Sequence, residues 1–130
     1  MPKAYLTRIV EFTATHRLPG GDFGKAAKDH GHRYQCRVTV TGELRPAHSG
    51  VAPLEALTAL LEQEVVRRFD GRHINQDVPE FGDGGWLPTG EALAVYIWER
   101  LVPGLPPGVT LHAVRVQEGP HLYSEYYGEA

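Results

Sequence analysis

The chain has 130 residues, 42% apolar and 22% charged, the make-up of one ordinary globular domain, 1–130, with enough apolar mass for a core. Its formal net charge is −3 and its basic residues are not clustered, which excludes nucleic acid as the main partner, since phosphate neutralisation needs a Lys/Arg stripe. No apolar run is long enough for a membrane span and the first residues carry no signal-peptide core, while the single cysteine, Cys36, excludes an intrachain disulfide and fits a reducing, cytoplasmic setting.

Residues 5–16 alternate. Leu6, Val10, Phe12 and Ala14 share the even positions with Arg8 and His16, and the odd positions Thr7, Glu11, Thr13 and Thr15 are polar, the period of a half-buried strand. Residues 17–31 read as a loop around Pro19-Gly20-Gly21 and Gly24. Residues 32–43 alternate again, with His32, Tyr34, Cys36, Val38 and Val40 on one face. A helix follows: Pro53 suits its first turn, Leu54, Leu57, Leu61, Val65 and Arg68 keep helical spacing, and Gly71 suits a left-handed cap after Phe69-Asp70. Residues 71–88 read as one long loop, a length that in compact domains is often functional. Pro88-Thr89 opens a second helix, whose face is Ala92, Leu93, Tyr96, Ile97, Arg100 and Leu101, and the stretch Pro103 to Gly108 stops it. Residues 109–118 and 121–128 read as strands joined by a tight turn at Gly119-Pro120.

The order ββααββ predicts an α+β domain: a four-stranded antiparallel sheet with two helices packed on one face. Four long strands leave two open edges, so subunits are expected to join edge to edge, and a cyclic assembly would close the sheet.

The chemical signal lies at the strand ends. His30 and His32 are two apart and so point to one side of a strand, and His16 ends the preceding strand on the matching apolar parity. Three neutral imidazoles leave a tetrahedral Zn²⁺ one open position, the arrangement of catalytic zinc. The competing reading of the same residues is three separate hydrogen-bonding histidines.

The motifs extend further. Glu11-Phe12-Thr13-Ala14-Thr15-His16-Arg17-Leu18, His30-Gly31-His32-Arg33-Tyr34, Phe69-Asp70-Gly71-Arg72-His73-Ile74-Asn75, Pro88-Thr89-Gly90-Glu91-Ala92-Leu93-Ala94 and Val114-Arg115-Val116-Gln117-Glu118 occur in that order over nearly the whole chain. Together they resemble the 6-pyruvoyltetrahydropterin synthase family, the tunnelling-fold proteins that include the 6-carboxytetrahydropterin synthases of 7-deazaguanine (queuosine) biosynthesis. The resemblance implies Zn²⁺ on His16, His30 and His32, a pterin anchored by Glu118, and Thr89 and Glu91 as a further part of the pocket. Thr89 also reads simply as an N-cap and Glu91 as a first-turn partner of the helix dipole. The resemblance further implies a trimer whose sheets close into a barrel, with two trimers stacking into a homohexamer.

The chain departs from that family at Pro53, near where relatives usually carry an acidic residue, and in two places that bear on catalysis. Lyase members carry a proton-accepting cysteine shortly before the His-Gly-His step, or a glutamate in a variant branch, whereas 24–29 here is Gly-Lys-Ala-Ala-Lys-Asp. Cys36 lies four residues past His32, about 13 Å along an extended strand, and its parity makes it a core thiol. The family's Asp-His couple keeps Asp70, but Gly71 follows it, so His73 is the histidine left to act with Asp70 as the catalytic couple. The resemblance thus implies a zinc-dependent carbon–oxygen lyase acting on 7,8-dihydroneopterin triphosphate or a related pterin. The alternative is a catalytically impaired pterin- or purine-binding zinc protein of the same fold. A structural zinc protein without ligand is a third reading, against which Glu118 and the open three-histidine site weigh.

Overall fold

Two long strands with one apolar face each require a cover on that side, and the helices supply it. The computed structural model of the chain describes residues 1–20 and 22–129. Strands β1 (Lys3–His16) and β2 (His30–Glu43) pair antiparallel along their full length, from Lys3 against Glu43 to His16 against His30. Val10, Phe12, Ala14 and His16 are buried on β1, as are Tyr34, Cys36, Val38 and Val40 on β2, which is the parity of the alternation. β2 begins at His30, two residues before the alternation becomes clear, so all three histidines stand inside the ladder. Between the strands lies a 3₁₀ turn at Gly24–Ala27, and Gly21 of the expected loop lies outside the described residues.

Helix α1 (Leu54–Leu61) passes through a π turn, Glu62–Val66, into α2 (Arg67–Phe69). Leu57, Leu61, Val65 and Phe69 from this continuous helix are fully buried. A row at spacing four swings by about 40° per step around a regular α-helix, and the wider π turn absorbs part of that swing. Pro53 stands just before the helix with ψ 116°, as its N-cap rather than inside the first turn. Gly71 takes φ 73°, the left-handed conformation expected of the cap, and donates its N–H to the Thr13 carbonyl at 2.8 Å.

The sheet has five strands, not four. The segment 71–88, expected as loop, contains strand β3 (Arg72–His73), the helical turn α3 (Ile74–Asp77) and a 3₁₀ turn at Pro79–Phe81. β3 pairs parallel to the outer edge of β1, Ala14 with Arg72 and Thr15 with His73, giving the order β3-β1-β2-β4-β5. Burial pins the segment there: Ile74 is fully buried, and Val78 and Phe81 are each 3% exposed. A two-residue strand has no periodicity to read, which is why alternation misses it.

Helix α4 (Gly90–Leu101) starts where expected. Thr89 caps it, its Oγ1 accepting the Ala92 N–H at 3.1 Å, and Leu93, Ala94, Ile97 and Leu101 face the core. β4 (Thr110–Gly119) pairs antiparallel with β2 and with β5 (Leu122–Tyr126). Their tight turn is Pro120-His121, one residue later than the sequence implies. Among the described residues, no helix is long and apolar enough to cross a membrane.

Candidate metal centre and adjoining pocket

Strand geometry alone assembles the histidines. His16 and His30 are the last cross-strand pair of β1 and β2, and His32 follows two residues on, on the same face. Ring centroids stand 4.5 Å apart for His16–His30, 4.8 Å for His30–His32 and 5.1 Å for His16–His32. One ligand atom from each falls within 4.8 Å of the others, the only such group of three His, Cys, Asp or Glu among the described residues.

The chain's own acceptors fix which nitrogen the rings of His16 and His30 leave free. Nδ1 of His16 lies 2.8 Å from the Pro88 carbonyl, and a carbonyl only accepts, so Nδ1 carries the proton and Nε2 the lone pair. Tyr34 adds its hydroxyl 3.2 Å from the same Nδ1. Nδ1 of His30 likewise donates to the Lys28 carbonyl at 2.8 Å. His16 is fully buried and its Nε2 has no hydrogen-bond partner among the described residues. Burial pushes the His16 ring down to about 4, helped by the neighbouring His30, His32 and His73, and burial likewise lowers His32. Near neutral pH His16 is therefore a neutral imidazole with a buried, unanswered lone pair. A divalent metal would answer it, and three nitrogen donors on one face would fit zinc with a position to spare.

Glu118, near the end of β4, stands over the same centre. Its Oε1 is 3.9 Å from Nε2 of His16, and its side chain is 10% exposed. Burial raises its carboxyl, the Glu91 charge adds to that, and His30 opposes it. The first turn of α4 meets this carboxylate closely: a Cβ on Gly90 would fall 3.0 Å from Glu118 Oε2 and 2.8 Å from Ser124 Oγ. Ser124 in turn donates to Glu91 Oε1 at 3.4 Å. On the far side of Glu91 and Thr89 a cavity of about 760 Å³ opens along α4, walled by Phe81, Trp86, Tyr96 and Arg100. The three histidines and Glu118 are not part of that wall, so Glu91 stands between centre and cavity.

The Asp70–His73 couple expected from the sequence does not form. Asp70 Oδ1 accepts the Thr13 N–H at 2.9 Å, because the chain turns back at Gly71 against β1. His73, held on β3, places Nε2 3.0 Å from Asp29 Oδ1, with Arg17 Nη1 3.4 Å from the same oxygen. The histidine and the arginine bonds hold the Asp29 carboxyl below its ordinary range. Cys36 is fully buried, its thiol pushed up to about 12 by desolvation, which fits the core role read from its parity. The groups that sequence reasoning missed are the Pro88 and Lys28 carbonyls and the Tyr34 hydroxyl. A carbonyl carries no residue-type signal, and only Tyr34, on the histidine parity, was there to be read.

Comparison with known proteins completes the assignment. The family model described as 6-pyruvoyl tetrahydropterin synthase matches residues 5–129. The chain belongs to that family. It is 37% identical to human 6-pyruvoyl tetrahydrobiopterin synthase, over 98% of this chain and 93% of the human one. It is 32% identical to a probable 6-carboxy-5,6,7,8-tetrahydropterin synthase of Halobacterium salinarum, over 88% of this chain and 81% of that protein. The solved structure of Caenorhabditis elegans 6-pyruvoyl tetrahydropterin synthase superposes with a TM-score of 0.90 at 29% identity, covering 99% of this chain and 98% of that one. The 6-pyruvoyl tetrahydropterin synthase family is thus shared with proteins named as synthases, consistent with an enzyme, and the shared fold covers 99% of this chain.

Proposed function

We propose that the chain is a zinc-dependent pterin synthase of the carbon–oxygen lyase type, acting on 7,8-dihydroneopterin triphosphate or a close pterin. The observation that carries the reading is the orphaned Nε2 of His16 among three convergent imidazoles, with the Glu118 carboxylate 3.9 Å away. His16, His30 and His32 would hold Zn²⁺, which when bound supplies Lewis acidity toward the substrate's side-chain oxygens and a lowered pKa for coordinated water.

The chain's own groups do the rest. A pterin presents an amino group and a ring N–H side by side, and the two oxygens of Glu118 suit that donor pair. Glu91 faces Glu118 from the start of α4, and Thr89, though its oxygen caps the helix, retains a hydroxyl proton to donate. Proton transfer falls to His73, with Asp29 rather than Asp70 as its carboxylate. Tyr34 and Pro88 keep His16 in the tautomer that leaves Nε2 free. The product is the 6-pyruvoyl compound or, for queuosine biosynthesis, the 6-carboxy one. The same reading includes a cytoplasmic protein and a trimer or hexamer in which edges of the sheet join into a barrel.

A second reading has its own support. With Asp70 committed to a backbone amide and the only thiol sealed in the core, the chain also fits a pterin- or purine-binding zinc protein of impaired activity. Zinc-loaded protein incubated with 7,8-dihydroneopterin triphosphate separates the two. Release of triphosphate with formation of a tetrahydropterin supports the synthase, whereas tight pterin binding without product supports the binding protein. Neither turnover nor pterin binding would sink both. Light scattering at micromolar concentration tests the assembly, which a monomer would contradict.

A further inference from the structure

The ladder that carries the metal ligands stops at them. His16 and His30 are its last pair, and the chain between them, residues 17–29, includes Gly20 and Gly24 at φ 111° and 56°. Strand ends fray unless they are tied, and a frayed His16 would take its nitrogen out of register with the other two. Something outside the hairpin has to hold this end.

β3 holds part of it, pairing with Ala14 and Thr15 of β1. The pairing then continues through a side chain. Asn75, one residue into α3, accepts the Arg17 N–H on Oδ1 at 2.9 Å and donates from Nδ2 to the Arg17 carbonyl at 3.0 Å. Satisfying both backbone groups of one residue is what a neighbouring strand does, and here one carboxamide does it directly after His16. Its base is firm, because Ile74 beside it is fully buried and the His73 N–H is tied to Asp77 Oδ2 at 2.8 Å. Arg17, once held, reaches across the hairpin end to Asp29, the residue before His30. One clasp therefore touches both flanks of the His16–His30 pair.

We infer that Asn75 is a positioning residue for the metal centre, clasping the Arg17 backbone so that His16 and His30 keep the spacing a metal needs. The inference rests on the metal reading above. Metal–nitrogen distances tolerate only about 0.2 Å, and loss of an outer support of this kind costs roughly 10–100-fold in metal affinity. A purely structural role would instead lower the melting temperature and leave affinity alone.

The test is Zn²⁺ titration against a chromophoric chelator for wild type, Asn75→Ala, Asn75→Asp and His32→Ala, with the visible d–d spectrum of the Co²⁺ forms as a second readout. Asn75→Ala should bind Zn²⁺ about 10–100-fold more weakly with altered Co²⁺ bands. Asn75→Asp, which sets a carboxylate against the Arg17 carbonyl, should also weaken binding and decides the matter if the alanine variant does not fold. Wild-type affinity and an unchanged spectrum in the variant that folds overturn the inference. A different pattern, with wild type failing to bind Zn²⁺ or His32→Ala binding it equally well, overturns the metal centre itself and the clasp with it.

Discussion

Nε2 of His16 and Oε1 of Glu118 stand 3.9 Å apart, so the nitrogen free for a metal and the carboxylate free for a ligand share one wall. On the proposed function their tasks are nonetheless separable, since the metal would need three imidazoles and the ligand a pair of oxygens. Glu118→Ala should lose pterin affinity by about a hundredfold, roughly 2–3 kcal/mol for charge-assisted hydrogen bonds, with zinc content unchanged. Calorimetry and metal analysis on one preparation check this. Parallel loss of zinc and pterin would show that Glu118 serves the metal rather than the ligand.

Metal removal should soften the fold. Binding to the native state alone stabilises it by about 4 kcal/mol when free metal exceeds its dissociation constant a thousandfold. A chelator should therefore lower the melting temperature of wild type and leave His32→Ala nearly unaffected. Equal response of the two proteins would place the metal elsewhere.

The buried histidine gives the metal-free protein a signed pH dependence. Unfolded His16 takes up a proton near 6.5, and folded His16 only near 4. Between these values the unfolded state binds more protons, so stability falls as pH drops from about 6.5 and levels off near 4, a loss on the order of 3 kcal/mol. His32, also lowered, acts in the same direction, while the raised carboxyl of Glu118 returns some stability at the acid end. Urea midpoints for the chelated protein across that range should trace the fall, and a flat profile would count against a neutral buried His16.

Gly90 permits a close approach. In Gly90→Ala the new Cβ would meet Glu118 Oε2 at 3.0 Å and Ser124 Oγ at 2.8 Å, both at the ends of side chains that can turn aside. The fold should survive with little change in melting temperature, and pterin affinity should drop by about tenfold, near 1.4 kcal/mol, as Glu118 moves. Unchanged affinity would mean that the carboxylate does not hold the ligand in its present rotamer.

Asp70 is expected to behave as a structural acceptor. Asp70→Ala leaves the Thr13 N–H without its partner and should cost about 1–2 kcal/mol, whereas Asp70→Asn keeps the accepting oxygen and should preserve both stability and turnover. A stable Asp70→Asn protein with turnover reduced by ~10²–10⁴ would instead assign Asp70 to proton transfer.

Legibility in the sequence followed periodicity. Strands of fourteen residues repeat their pattern often enough to fix parity, so the facing of His16, His30, His32 and the core row from Val10 to Val40 could all be read. Thr89 was readable because capping is chemistry between near neighbours. β3 was not, since two residues make no period, nor was the partner of His73, because Asp29 reaches it across 44 positions of chain. The tautomer of His16 depends on a carbonyl 72 residues away, and every residue has a carbonyl. What escaped was short, lay far apart in the chain, or lay in atoms common to all residues.

The π turn at Glu62–Val66 makes the length of its helix a constraint on the far end of the sheet. Four buried side chains, Leu57, Leu61, Val65 and Phe69, stay in one row only while that turn carries its extra residue. Inserting one further residue there would rotate everything after it by about 100°. Phe69 would swing off the core, and Asp70 and Gly71, which bind Thr13 on the strand that ends at His16, would lose their aim. Point changes on the outer side of this helix are mild events, but a one-codon insertion in it would be read out at the histidines.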